Sequence, residues 1–171
     1  MNDLNEAISN AEPQEIRISK PEALGYMVGL CAFKGIYTHW DIASIGRLFI
    51  PPVLAEQFKL YFQNGECVAF ATWAYLSDDI SDQIKTNFID PPYDAWNSGS
   101  NLWIIDMVAP GRGVSITRDL QKTVFANRTV PGFALRRDAT GKVRKIARWA
   151  TWNSCPRNSE LHNQEPSQTP S

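Results

Sequence analysis

Histidine is scarce in this chain: only His39 and His162 among 171 residues. Cysteine is nearly as rare. Cys31, Cys67 and Cys155 are scattered with no C-x-x-C pair and no metal-ligand spacing, which excludes a zinc ribbon and a disulfide framework. Cys31 and Cys67 lie in apolar runs and read as core thiols, which points to a reducing, cytoplasmic location. The run around Cys67 is too apolar to favour a nucleophilic thiolate. Charge of one sign is missing too. The net charge is −1, so no global field draws the chain to nucleic acid or an anionic membrane. No apolar run approaches the roughly 20 residues of a membrane helix. Met1 to Gln14 lacks the apolar centre of a signal peptide. There is no Walker loop, no serine nucleophile elbow and no internal repeat.

What is present suits one domain with a substantial core, since 43% of the residues are hydrophobic. Residues 1–18 read as a flexible leader, 19–152 as the folded domain and 153–171 as a polar, disordered tail. Ser19-Lys20-Pro21-Glu22 has capping-box spacing. Leu24, Met27, Val28 and Cys31 follow at helical intervals, with Gly35 as the stop. A polar and aromatic turn, Ile36 to Asp41, leads into a short second helix carrying Ile42, Ile45, Leu48 and Phe49. Pro51-Pro52 is expected to end it. Two strand-like runs flank Asn64-Gly65, a strong hairpin signal. Ser77 to Lys85 reads as a surface helix, and Asn87 to Ser100 as an ordered loop. Ile116, Leu120 and Val124 mark a later helix, and a second hairpin turns at Asp138 to Gly141. This order is that of an α+β, or mixed α/β, domain.

The run Leu102-Trp103-Ile104-Ile105-Asp106-Met107-Val108-Ala109-Pro110 reads as a buried strand holding one carboxylate. Simple alternation groups Asp106 with Leu102, Ile104 and Val108 on one face. A buried carboxylate needs a proton or a partner. An arginine salt bridge is one answer. His39 is the other, because imidazole can take and return a proton at cellular pH, and a carboxylate can fix its tautomer. The Pro110-Gly111-Arg112-Gly113 turn reads either as an ordinary strand-to-helix turn or as a phosphate-binding one. The basic run Arg136-Arg137, Arg144-Lys145 and Arg148 reads as a solvated face, or as a docking surface for an acidic protein.

Three stretches resemble the toxin-activating lysine acyltransferases, the bacterial enzymes that switch on RTX protoxins. Val68-Ala69-Phe70-Ala71-Thr72-Trp73-Ala74 resembles the family's Val-Ala-Tyr-Cys-Ser-Trp-Ala strand. Trp96-Asn97-Ser98-Gly99 with Leu102 to Pro110 resembles its Trp-x-Ser-Gly-x-x-x-Trp-x-Ile-Asp-x-x-Ala-Pro block. His39-Trp40 resembles its catalytic histidine segment. There the histidine is usually followed by Arg-Asn-Trp-Pro, whereas here Trp40-Asp41 follow directly. The later hairpin matches as well, so the likeness covers roughly residues 22–149.

The resemblance implies a single domain similar to the N-acetyltransferase (GNAT) superfamily, a central, mostly antiparallel sheet flanked by helices. It implies transfer of a fatty acyl group from acyl carrier protein to internal lysine ε-amines of an RTX protoxin, with His39 and Asp106 as catalytic residues. Acyl carrier protein and the protoxin are then the partners and the family suggests a homodimer. No bound cofactor or metal, no nucleic acid and no transmembrane segment is implied. Two alternatives stand beside it: an acyl-coenzyme A–dependent N-acyltransferase on a small amine, and a non-catalytic module that binds toxin or carrier protein.

Overall fold

A computed structural model describes residues 18–150. Apart from Ile18, the expected leader lies outside these residues, as does the tail expected from residue 153. In chain order the elements are α1 (Lys20–Phe33), α2 (Ile42–Leu54), β1 (Phe58–Gln63), β2 (Glu66–Leu76), α3 (Asp78–Asn87), β3 (Asn101–Val108), α4 (Gly113–Lys122), β4 (Gly132–Arg137) and β5 (Val143–Trp149).

α1 begins with the expected capping box. The Ser19 hydroxyl accepts from the Glu22 N–H, and the Glu22 carboxylate accepts from the Ser19 N–H at 2.8 Å. Its fully buried stripe is Ala23, Met27, Leu30 and Cys31, with Leu24 and Val28 half-buried beside it. α2 departs from expectation, because it runs through Pro51-Pro52 to Leu54. The prolines remove two N–H donors, but their carbonyls still accept, from Ala55 at 2.9 Å and Gln57 at 2.8 Å. Pro51, Pro52 and Val53 are buried, so tertiary packing holds the last turn in place.

The strands form one sheet in the order β1-β2-β3-β4-β5. Every neighbouring pair is antiparallel except β3 and β4, which α4 joins as a parallel crossover. This mixed, mostly antiparallel α+β architecture is the one expected from the N-acetyltransferase-like resemblance. α1 and α2 cover one face, where Met27, Leu48, Phe49, Phe70, Trp103 and Ile105 pack together. Ile116 and Leu120 of α4 cover the other face with Trp73, Leu102, Ile104 and Phe125.

The Trp-x-Ser-Gly stretch anchors the end of β2. The Trp96 carbonyl accepts from the Tyr75 N–H, the Ser98 hydroxyl accepts from the Ser77 N–H, and the Gly99 N–H donates to the Tyr75 carbonyl. A Cβ on Gly99 would stand 2.6 Å from the backbone of Leu76 and Ser77, so only glycine fits there. Trp73 and Trp103 are core residues. The Trp103 indole donates to the buried Ser81 hydroxyl at 3.0 Å.

One irregularity changes how the central strand is read. Thr72 of β2 pairs with Asp106, yet its neighbour Trp73 pairs with Ile104, so Ile105 is an extra residue on β3. Before the bulge, Leu102 and Ile104 face α4 and Trp103 faces α1 and α2. After it, Met107 faces α4 while Val108 packs on the α1–α2 side. Simple alternation had grouped Asp106 and Val108 with Leu102 and Ile104. The bulge reverses that grouping and turns Asp106 toward the α1–α2 side of the sheet.

Candidate functional site

Asp106 is 2% exposed and stands at the centre of a cluster drawn from separate parts of the chain. Its Oδ1 accepts from the Tyr37 hydroxyl at 2.8 Å and from Arg137 Nε at 2.7 Å. Its backbone N–H donates to the Thr72 hydroxyl across the bulge at 3.2 Å. Its Oδ2 is buried and has no hydrogen-bond partner among the described residues.

Arg137 binds the cluster together. Its side chain is only 3% exposed, and its remaining nitrogens donate to Asp90 Oδ1 at 2.5 Å and to the Gly141 carbonyl at 3.1 Å. Of the basic run in the sequence, Arg137 is thus a buried ion-pair partner, while Arg136, Arg144, Lys145 and Arg148 are exposed. The salt bridge to an arginine is the partner Asp106 has.

Tyr37 is held in an uncommon backbone conformation, φ 59°, which costs a bulky residue on the order of 1–3 kcal/mol. Several contacts impose it. The Tyr37 N–H donates to the Ala139 carbonyl at 3.2 Å, and its carbonyl accepts from the Trp40 N–H at 2.9 Å. The Tyr37 ring stacks on Trp40 with centroids 4.2 Å apart. Trp40 in turn meets Phe49, and the Arg137 guanidinium lies 5.6 Å from its ring. The β4–β5 turn closes over this pair, since a Cβ on Gly141 would collide with the Trp40 indole nitrogen. Tyr37, Thr38 and Trp40 line a cleft of about 290 Å³ with Cys31, Ile45 and Phe49. A larger groove of about 1060 Å³ runs between α1 and the β1–β2 hairpin and shares no lining residue with this cleft.

Electrostatics follow from burial. Burial pushes Asp106 above the ordinary carboxylate range, against the pull of Arg137 and the Tyr37 hydrogen bond. Burial and the Asp106 charge raise the Tyr37 phenol. Burial alone would weaken the Arg137 charge, but Asp106 and Asp90 outweigh it and keep the guanidinium protonated. Cys31 is pushed up to about 12 by burial and by Asp106, so it is a thiol and no nucleophile. Cys67 is raised by burial as well. The site can therefore hold one negative charge in a buried, positively countered position, and it can accept a proton there.

His39 lies exposed in the same turn, two residues after Tyr37, and makes no side-chain hydrogen bond or ion pair among the described residues. The structure brings Asp106 to Tyr37, Thr72 and Arg137; it does not hydrogen-bond Asp106 to His39. Sequence reasoning missed Tyr37 and the selection of Arg137 from its basic run. One signal for Tyr37 was available: anchoring the family pattern His-Arg-Asn-Trp-Pro on Trp40 places residue 37, not 39, where that pattern has histidine. Nothing local singles out Arg137 from its neighbours. At the start of α4, Gly111 takes φ 68°, and Arg112 donates to Gln63 and to the Pro110 carbonyl. Among the described residues no group of three or more His, Cys, Asp or Glu is arranged to hold a metal ion.

The chain is 29% identical over 132 residues to an uncharacterised protein of Synechocystis sp., covering 75% of this chain and 87% of that one. It is 29% identical over 103 residues to a leukotoxin-activating lysine-acyltransferase of Aggregatibacter actinomycetemcomitans, covering 60% of this chain and 61% of the relative. Over 96 residues it is 28% identical to a protein-lysine myristoyltransferase of Escherichia coli, covering 56% of this chain and 55% of that enzyme. The chain thus spans somewhat over half the length of these two acyltransferases. Residues 16–150 match the RTX toxin acyltransferase family throughout, from the start of α1 to the end of β5. This chain belongs to the RTX toxin acyltransferase family.

Proposed function

We propose that this protein moves a fatty acyl group from the thioester of an acyl carrier protein to the ε-amine of internal lysines on an RTX protoxin. The observation that carries the reading is the buried Asp106, re-aimed by a strand bulge and with one oxygen unpartnered among the described residues, in a chain of this family. Bulges beside functional sites commonly re-aim one side chain in this way. A lysine is an ammonium ion at neutral pH and must shed a proton before it attacks a thioester. Asp106 is the assigned carboxylate. The 37–40 turn, which carries His39 at its surface, is where the amine meets the site. The relatives named as lysine acyltransferases support the acceptor. The exposed basic residues of β4 and β5 support an acidic donor protein.

Intact-protein mass spectrometry tests the reading. A lysine-containing protoxin fragment is incubated with this protein and a long-chain acyl carrier protein, with acyl-coenzyme A as a parallel arm. A mass gain of one acyl group is expected with the carrier-protein donor and not with Asp106→Asn. A gain only from coenzyme A would overturn the donor assignment. Tight binding with no covalent product would replace the enzyme by a binding module.

A further inference from the structure

Tyr37 has no role in the reading above, yet the fold goes to some length to place it. Its backbone is held in the left-handed region, its ring is stacked on Trp40, and its hydroxyl meets Asp106 at 2.8 Å. It also lines the 290 Å³ cleft, which Asp106 does not. A phenol so placed stands between a substrate in the cleft and a carboxylate that the substrate cannot touch. We propose that Tyr37 is the proton relay of this site, taking a proton from the acceptor amine at its phenolic oxygen while passing its own proton to Asp106.

The step balances. The incoming ammonium gives one proton to the Tyr37 oxygen, and the phenolic proton moves along the existing hydrogen bond to Asp106 Oδ1. The freed amine forms a C–N bond to the thioester carbonyl carbon and the C–S bond breaks. The second proton lost by nitrogen goes to the departing sulfur, which leaves as a thiol. Asp106 then returns its proton to water by the same route. Geometry favours this direction of transfer: Asp106 is buried and its second oxygen has no donor among the described residues, so protonation removes a buried charge that is only half solvated by hydrogen bonds. Arg137 is the positioning residue, since it fixes Oδ1 toward Tyr37 and is itself fixed by Asp90 and the Gly141 carbonyl. The titratable and charged groups around Asp106 are Cys31 of α1, Tyr37, Arg137 of β4 and Asp90.

This inference rests on the acyltransferase reading, and steady-state kinetics with the full chain separates the two. Tyr37→Phe keeps the stacked ring and removes only the hydroxyl. It is expected to lower kcat about 100-fold or more, the usual range for lost acid–base catalysis, with KM little changed. Tyr37→His supplies another group that can carry a proton. It is expected to restore part of kcat and to add a limb to the pH profile near about 6.5. A purely structural tyrosine would lower stability in Tyr37→Phe with kcat of the folded enzyme little changed, and His would rescue nothing. Wild-type kcat in Tyr37→Phe, or complete loss in His39→Gln with Tyr37→Phe active, would overturn the relay while leaving the transferase reading intact. Absence of transfer by the wild type would overturn both.

Discussion

Among the described residues Asp106 Oδ1 accepts two hydrogen bonds and Oδ2 accepts none, and Arg137 is the cation that pairs with the carboxylate. Removing Arg137 leaves a buried carboxylate unpaired. Arg137→Gln is expected to cost about 3–5 kcal/mol in urea unfolding, the range for breaking one side of a buried pair. The sign of its pH dependence follows from linkage. Burial raises the Asp106 pKa in the folded state, so its contribution favours folding at low pH and is lost as pH rises through the folded value. Without Arg137 that value climbs further. The gap in melting temperature between wild type and Arg137→Gln should therefore widen as pH rises above the ordinary carboxylate range. A gap that narrows instead would mean that Asp106 is not the group left uncompensated.

At the scale of elements, the site is made by a bulge and a turn. Beside the bulge the Asp106 N–H donates to the Thr72 hydroxyl, which ties the carboxylate's backbone to β2. Thr72→Val should cost about 0.5–1.5 kcal/mol through the lost hydrogen bond, whereas Thr72→Ser should stay near wild type in a thermal melt. The turn is the β4–β5 connection. Its Gly141 combines φ 90° with close contact to Trp40. Gly141→Ala should destabilise the fold by more than about 1 kcal/mol and slow acyl transfer, because the methyl group displaces the indole that Tyr37 stacks on. An active, wild-type-stable Gly141→Ala would show that the 37–40 turn tolerates displacement. The hairpin, cap and helix signals around these features were legible in the sequence, because each depends on local chemistry. Asn64-Gly65 takes positive φ at both positions, as the hairpin turn requires, and Ser19 caps α1. The continuation of α2 through Pro51-Pro52 was not legible, since burial of the last turn overrode a local breaker.

Over the whole molecule, the charge is unevenly placed although the net value is −1. β5 is one of the two edge strands of the sheet, and Arg144, Lys145 and Arg148 on it are exposed. Such charges discourage edge-to-edge pairing of strands and also steer acidic partners. With acyl carrier protein as the donor, the double variant Arg144→Glu, Lys145→Glu should raise its KM at least about tenfold at low salt and leave kcat unchanged. The effect should shrink as ionic strength rises. An unchanged KM would place donor docking elsewhere on the surface. No helix among the described residues is long and apolar enough to cross a membrane.

The sequence by itself determined the element order, the α+β class and the fact that Asp106 would be buried and in need of a partner. These follow from short-range patterns: capping residues, turn glycines and apolar periodicity. The family resemblance was also readable there, because the Trp-Asp block is long and local. Only the tertiary structure decided which way Asp106 points and what it meets. Ile105 carries no mark of a bulge, since the extra residue is defined by its register against β2. Arg137 is one of several arginines and lysines until β4 lies beside β3 and leaves it alone buried against Asp106 and Asp90. Tyr37 reaches the carboxylate from 69 residues away because the folded turn, and no sequence pattern, sets the distance between them.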